Sequence, residues 1–343
     1  MIKRSISKLA DAATCWLMQS MQWTMRHDVC SREQIENYLT QGEKMTREEF
    51  FAFAPMEGSE LSGSLLHWQS PVCSGYKEND VAAARIFLSR EGWSAPTLFF
   101  LHALMSAHDF GYERISRRLN RAGWNAVLVH LPYHYSRIPH GYVNGALALT
   151  SNLPRNGETI RQAVKEVRQL LAMVRKLGCG ELGLIGTSFG GWIGALVSFL
   201  EEDLSFLALL QPIADVEHAI WHSPASRAIR TQLDKARIPA GITRRHAHLT
   251  SPKDGHPLCD PARILLVGGS FDSIVPLGIL RNLQDVWRGS RLIEVAQGHF
   301  GYAAMGAALR EFEQRRSSDS GRLPEKQVPD FGPNRSSRSY PAR

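Results

Sequence analysis

The sequence predicts an α/β domain with a mostly parallel sheet, helices on both faces and a small helical lid. Continuous apolar runs recur between residues 97 and 295, as buried parallel strands require, without the alternation of a half-solvated sheet. Segments of helical periodicity separate most of these runs, and such alternation builds a parallel sheet. One run passes through a Gly-x-Ser-x-Gly turn straight into a helix.

Ile6, Leu9, Ala10, Ala13, Leu17 and Met21 fall at helical spacing, with Lys3, Arg4 and Lys8 crowding the start. This predicts an amphipathic helix whose apolar stripe docks on the main domain or, less commonly, makes a weak peripheral contact with a membrane. Ser31-x-x-Gln34 and Thr46-x-x-Glu49 are capping boxes that open two short helices before the break at Pro55 and Gly58. Residues 1–60 therefore read as a helical extension. Apolar runs at 65–68 and 81–88 flank turn residues and predict an opening hairpin. Further strands are expected at 97–101, 126–129, 182–185, 206–210, 264–267 and 292–295. The longest helix is expected over 159–177, where Ile160, Val164, Val167, Leu171 and Val174 keep one stripe and Gly178 supplies the stop. The fifty residues between Pro212 and Pro261 are too many for a simple connection, so the domain at 61–312 is expected to carry a lid at about 213–260. Trp221, Ile229, Leu233, Ile238 and Ile242 in that lid form either a roof over an acyl or aryl group or the core of the cap itself.

With 43% hydrophobic and 21% charged residues, the chain has the make-up of a protein with a sizeable core, not of a disordered or coiled-coil chain. Its apolar runs fall far short of the roughly 20 residues that cross a bilayer. Asp11 and Thr14 interrupt what would be the apolar centre of a signal peptide, so the amino terminus is expected to be unprocessed. Five cysteines without a Cys-x-x-Cys spacing argue against a disulfide framework and a zinc ribbon, and fit a reducing, cytoplasmic compartment. The net charge of +7 invites a nucleic-acid reading, but residues 314–343 hold +4 of it. That Ser/Pro/Arg-rich tail, 313–343, is expected to be disordered because it has little to bury. No specific nucleic-acid partner is implied for the folded part.

The chemistry centres on Gly186-Thr-Ser188-Phe-Gly190, between an apolar run and a helical segment. So tight a strand-to-helix turn is a nucleophile elbow: it leaves no room for side chains at its glycines and lifts the serine above the sheet. A serine hydroxyl needs a base, and the base needs an acid that fixes its tautomer. In this arrangement they follow as Ser, then Asp or Glu, then His. The run at 264–267 leads to Asp272 and the run at 292–295 leads to His299, each in a loop at a strand's carboxyl end, where such sheets bind ligands. Asp215, after the run at 206–210, is a rival acid. His102, His108, His130, His134 and His140 crowd one stretch, but without metal-ligand spacing or a carboxylate pair. His102 and His134 are expected at the pocket rim, touching backbone or substrate, and no metal or other cofactor is implied.

This constellation resembles the α/β-hydrolase superfamily over residues 65–310. The string Thr97-Leu-Phe-Phe-Leu-His102-Ala103-Leu104 resembles that family's strand and His-Gly oxyanion loop, with Ala103 in place of the glycine. The resemblance implies the α/β-hydrolase fold, a catalytic triad of Ser188, Asp272 and His299, and an oxyanion hole made by the amides of Phe189 and Leu104. The segment Gly123 through Pro132-Tyr-His134 resembles a branch that includes the group of abhydrolase domain-containing protein 18. The expected activity is that of a serine esterase acting on a small or lipid-like acyl substrate. A thioesterase or acyltransferase would use the same triad. An idle hydrolase fold serving as a binding scaffold is the rival from another class, to which Ala103 gives some support.

Overall fold

The computed structural model describes residues 2–23 and 30–319. A helix α1 (Ile2–Trp23) is followed by α2 (Arg32–Gly42) and α3 (Arg47–Phe50), and both capping boxes are formed: Ser31 and Thr46 accept from the amides of Gln34 and Glu49, whose side chains bond back. Nine strands follow: β1 (Glu60–Ser62), β2 (Leu65–Gln69), β3 (Val81–Phe87), β4 (Thr97–Leu101), β5 (Asn125–His130), β6 (Leu182–Thr187), β7 (Leu204–Leu210), β8 (Ile264–Gly269) and β9 (Arg291–Val295). They make one sheet in the order β1-β2-β3-β5-β4-β6-β7-β8-β9. The pairs β1·β2, β2·β3 and β3·β5 are antiparallel and the remainder parallel.

Every residue of β4, β5 and β8 is buried, which accounts for their unbroken apolar runs. Helices α4 (Phe110–Arg121), α5 (Leu153–Lys176), α6 (Phe189–Ser198) and α10 (Leu277–Val286) cross between strands. The stripe of α5 lies fully buried in the main core with β4, β6 and α6. This helix starts six residues before the expected Thr159, because Asn152 caps it by accepting from the Arg155 amide. Gly157 in its first turns weakens the helical signal, and its bare Cα is where Tyr38 of α2 packs: a Cβ there would lie 2.3 Å from the Tyr38 hydroxyl.

Between β7 and β8 run α7 (Val216–Trp221), α8 (Arg227–Lys235), α9 (Ala247–Thr250) and several short 3₁₀ turns. Trp221, Leu233, Ile238 and Ile242 of this cap pack with Ile35 and Leu39 of α2 in a core of their own. Arg245 adds ion pairs to Glu36 and Glu43. The amino-terminal helices are thus part of the cap's packing, and of the five expected roof residues only Ile229 also lines the cavity described below.

The apolar stripe of α1 does not dock. Ile6, Leu9, Trp16 and Leu17 are 52–72% exposed, whereas Asp11 and Cys15 on the opposite side are buried. On the side of α1 that meets the domain, Asp11 accepts from the amides of Ser273 and His299, and Gln19 donates to the Pro224 carbonyl of the cap. The last helix, α11 (Ala303–Asp319), takes in the start of the expected tail. Residues 320–343 lie outside the described residues. No described helix is long and apolar enough to cross a membrane.

Candidate active site

The turn from β6 to α6 forces Ser188 to φ 51° and ψ −108°, a strained conformation for a residue with a side chain. The turn closes so tightly that a Cβ on Gly186 would lie 2.4 Å from the Gly190 carbonyl oxygen, and one on Gly190 would lie 2.2 Å from that of Leu101. The Ser188 amide donates to the Leu210 carbonyl at 2.8 Å, fastening the elbow to β7. The hydroxyl then stands over the carboxyl ends of the strands.

His299 and Asp272 come to it from the loops after β9 and β8. The Ser188 hydroxyl lies 2.8 Å from Nε2 of His299, and Nδ1 of His299 lies 2.8 Å from Oδ2 of Asp272. Nδ1 faces a carboxylate and carries the proton, so Nε2 presents its lone pair to the serine. The other Asp272 oxygen accepts from the amides of Ile274 and Val275 at 2.8 and 2.9 Å. Asp215 is not in this group: it caps α7 by accepting from the His218 amide and pairs with Lys253 at 2.8 Å.

Two residues that sequence reasoning passes over complete the acid's surroundings. Gln211, just past β7, donates from Nε2 to Asp272 Oδ2 at 2.5 Å and to the Gly298 carbonyl at 2.8 Å. Both partners are acceptors, which fixes the orientation of the amide. Gln297 donates in turn to Gln211 Oε1 at 2.8 Å. The available signals were a glutamine at a strand's carboxyl end and another beside Gly298-His299, neither specific. A third is Asp11 of α1, whose carboxylate accepts from the backbone of the histidine loop at 2.8 Å.

The structure sets His102 and His134 against backbone, one of the two contacts expected of them, but away from the pocket rim. Both are fully buried and neither lines the cavity. His102 donates from Nδ1 to the Ala103 carbonyl and accepts at Nε2 from the Leu131 amide, 2.9 and 3.1 Å. His134 donates to the Pro132 carbonyl and accepts from the Met105 amide, 2.8 and 2.9 Å. With both nitrogens of each ring engaged by backbone, they brace the loop after β4 from behind. Burial pushes His134 down to about 4, and burial together with the adjoining His134 ring holds His102 well below its usual range. The positive φ in that loop falls at Met105, at 55°, and not at Ala103. Alanine therefore replaces the glycine without strain, and the strained residue is the one His134 holds.

Ser188 and His299 open into a cavity of about 160 Å³. Its wall is overwhelmingly apolar and is drawn from α1 (Met18), α2 (Leu39), α5 (Ile160), α6 (Trp192) and the cap (Ile220, Ile229), with Leu104 beside the serine.

The fold has close counterparts among solved structures. An acetyl xylan esterase from Paenibacillus sp. R4 superposes with a TM-score of 0.58, at 12% identity over 87% of this chain and 98% of its own. Acetyl xylan esterase 1 from Thermoanaerobacterium sp. JW/SL YS485 gives 0.52, at 12% identity over 84% and 95%. Residues 104–219 match the family described as alpha/beta hydrolase domain containing 18. The chain has the α/β-hydrolase fold. Uncharacterized proteins of two Mycobacterium tuberculosis strains are 28% identical to it over 217 residues, 63% of this chain and 51% of theirs. It thus spans about half the length of these curated relatives.

Proposed function

We propose that this α/β-hydrolase chain is a serine esterase that cleaves carboxylic esters with an apolar acyl or aryl group through an acyl-enzyme. One observation carries the reading: the unbroken contact from Asp272 through His299 to Ser188, opening into an apolar cavity. Ser188 Oγ attacks the acyl carbonyl while His299 Nε2 takes its proton, and Asp272 holds the imidazole in the tautomer that can do so. The amides of Phe189, at the positive end of α6, and of Leu104 receive the oxyanion. His299 then protonates the departing alkoxide, and water activated by the same imidazole releases the acid. A cavity of about 160 Å³ is close to the roughly 150 Å³ of an apolar void that holds benzene. It favours an acyl group of that size over acetyl.

The test is labelling of the full chain by a fluorophosphonate probe, followed by a panel of p-nitrophenyl esters of graded length. Wild type labels, and kcat/KM peaks above acetate. Ser188→Ala and His299→Ala stay folded and each lose about 10⁶-fold in kcat. A folded wild-type chain that neither labels nor hydrolyses any ester in the panel overturns the reading and favours an idle fold.

A further inference from the structure

Asp11 is fully buried on the inner side of α1, yet among the described residues it pairs with no cation. Instead it collects hydrogen-bond donors from both catalytic loops. Oδ1 accepts from the amides of His299 at 2.8 Å and Phe300 at 3.4 Å. Oδ2 accepts from the amide and hydroxyl of Ser273 at 3.3 and 3.2 Å. One carboxylate, delivered from more than two hundred and fifty residues away in sequence, therefore ties the residue after the acid to the base itself. Hydrogen bonds to an ionised acceptor are the stronger kind. Cys15, one turn along the same side, is pushed up to about 11 by burial and then by the charges of Asp11 and Asp272.

We propose that Asp11 is a positioning residue for the triad: it sets the separation of the Asp272 and His299 loops, and so the aim of Nε2 at Ser188. This rests on the esterase reading of that site. Misplacing a reacting group by about 1 Å can cost on the order of 10²-fold in rate. In Asp11→Asn the Nδ2 hydrogens turn toward a backbone N–H that is itself a donor, that of Ser273 or those of His299 and Phe300, so one of the two loops loses its acceptor.

The experiment compares the wild-type chain, Asp11→Asn and Asp11→Ala in p-nitrophenyl ester hydrolysis, with active sites counted by fluorophosphonate. A kcat lower by about 10- to 100-fold with a much smaller change in KM is expected, because Asp11 itself does not line the cavity. A lower melting temperature with kcat per active site unchanged assigns Asp11 a structural role and overturns the proposal. If neither Asp11 variant folds, Ser273→Ala, which removes one of the four donors, decides: an unchanged kcat overturns it. A wild type that does not label fails the esterase reading instead, so the two failures are distinguishable.

A second inference rests on the other side of the same helix. Ile6, Leu9, Trp16 and Leu17 are exposed there, Arg4 and Lys8 are exposed beside them, and the helix's only acidic residue is the buried Asp11. An apolar strip with cations, an aromatic and no exposed anion is complementary to an anionic lipid surface. Met18 on the inner side lines the catalytic cavity, so a bilayer on the outer side lies next to a store of apolar acyl groups. The geometry points to α1 as a docking surface for anionic bilayers.

The full chain is therefore expected to co-sediment with phosphatidylcholine vesicles containing phosphatidylglycerol more than with phosphatidylcholine alone. Leu9→Glu and Trp16→Glu should each weaken this at least tenfold while fluorophosphonate labelling in solution is unchanged. No binding to the anionic vesicles overturns it. So does binding that survives both substitutions, which assigns it to the basic residues after Asp319. So does a dimer that either substitution splits, which assigns the strip to a second copy of the chain.

Discussion

Ser188 stands on a turn whose immediate neighbours leave it no freedom, whereas Asp272 and His299 stand on loops held by Gln211 and Asp11, which reach them from distant parts of the chain, with Gln297 of the histidine loop bonded to Gln211. The position of Ser188 is a matter of close packing: backbone atoms within 2.4 Å of where a Cβ would be at Gly186 and Gly190. The positions of Asp272 and His299 are a matter of donors and acceptors. A packed turn fails all at once when an atom is added, and a hydrogen-bonded loop loses aim by degrees as donors are removed.

The packed side breaks most severely. In Gly190→Ala the new Cβ meets the Leu101 and His102 carbonyls, which are backbone on a buried strand and cannot step aside. Overpacking usually costs about 1–3 kcal/mol, occasionally more, and no folded, labelling-competent protein is expected by near-ultraviolet circular dichroism. Gly111→Ala, where nothing lies within 4 Å, is the control, and its stability should stay within about 0.5 kcal/mol of wild type. A stable, active Gly190→Ala would erase the contrast.

The wall behind the elbow depends on a buried ion pair. Arg137 grips Glu166 with two bonds of 2.6 and 2.8 Å, both side chains essentially without solvent, and also donates to the carbonyls of His130 and Asn79. This bolts the loop that carries His134 to α5. Removing one partner of such a pair leaves a bare buried charge, so Glu166→Ala should lower the unfolding free energy by about 3–5 kcal/mol, read from urea melts.

The uneven legibility of the site follows from the same contrast. Gly186-x-Ser188-x-Gly190 is readable because all its constraints lie within a few residues, Asp272 because it follows the fully buried strand β8, and His299 because it follows the apolar run of the half-exposed strand β9. Gln211, Gln297 and Asp11 act through contacts that no window of sequence contains. Asp11 enters a reading of the sequence only as the residue that interrupts an apolar run, although that interruption marks the side of α1 that meets the loops of Asp272 and His299. Helix α1 is legible as a helix, but its orientation is not, since apolar periodicity shows which residues share a face and not what that face meets. Strand β1 is fully exposed and carries no pattern. His102 and His134 follow strands as His299 does, and only their bonds to backbone separate brace from base.

The hydrogen-bonded side should yield by degrees. Gln211 has a φ of 48°, which asparagine tolerates, so Gln211→Asn keeps the backbone while withdrawing the amide from Asp272. A hydrogen bond to a charged group is worth about 1.5–3 kcal/mol. The expected result is a kcat lower by roughly tenfold or somewhat more, with a melting temperature close to wild type. A drop as total as that of Ser188→Ala would place Gln211 in the chemistry itself.

The smallest effect per step is in pH. His102, His130 and His134 lie behind the elbow and the loop after β4, and burial lowers all three, His130 and His134 to about 4 from 6.5. The unfolded chain binds their protons first as pH falls, so their contribution to stability is intact above about pH 6.5 and is lost progressively between 6.5 and about 4. Each imidazole that stays neutral in the fold adds a slope of up to about 1.4 kcal/mol per pH unit in that window. Denaturant melts at half-unit intervals measure it. His134→Asn should flatten the slope by about one proton, whereas Gln211→Asn, which removes none of these three imidazoles, should leave it unchanged. Equal slopes in all three proteins would mean that the packed wall opens to water before the domain unfolds, and that its rigidity is confined to the Ser188 turn.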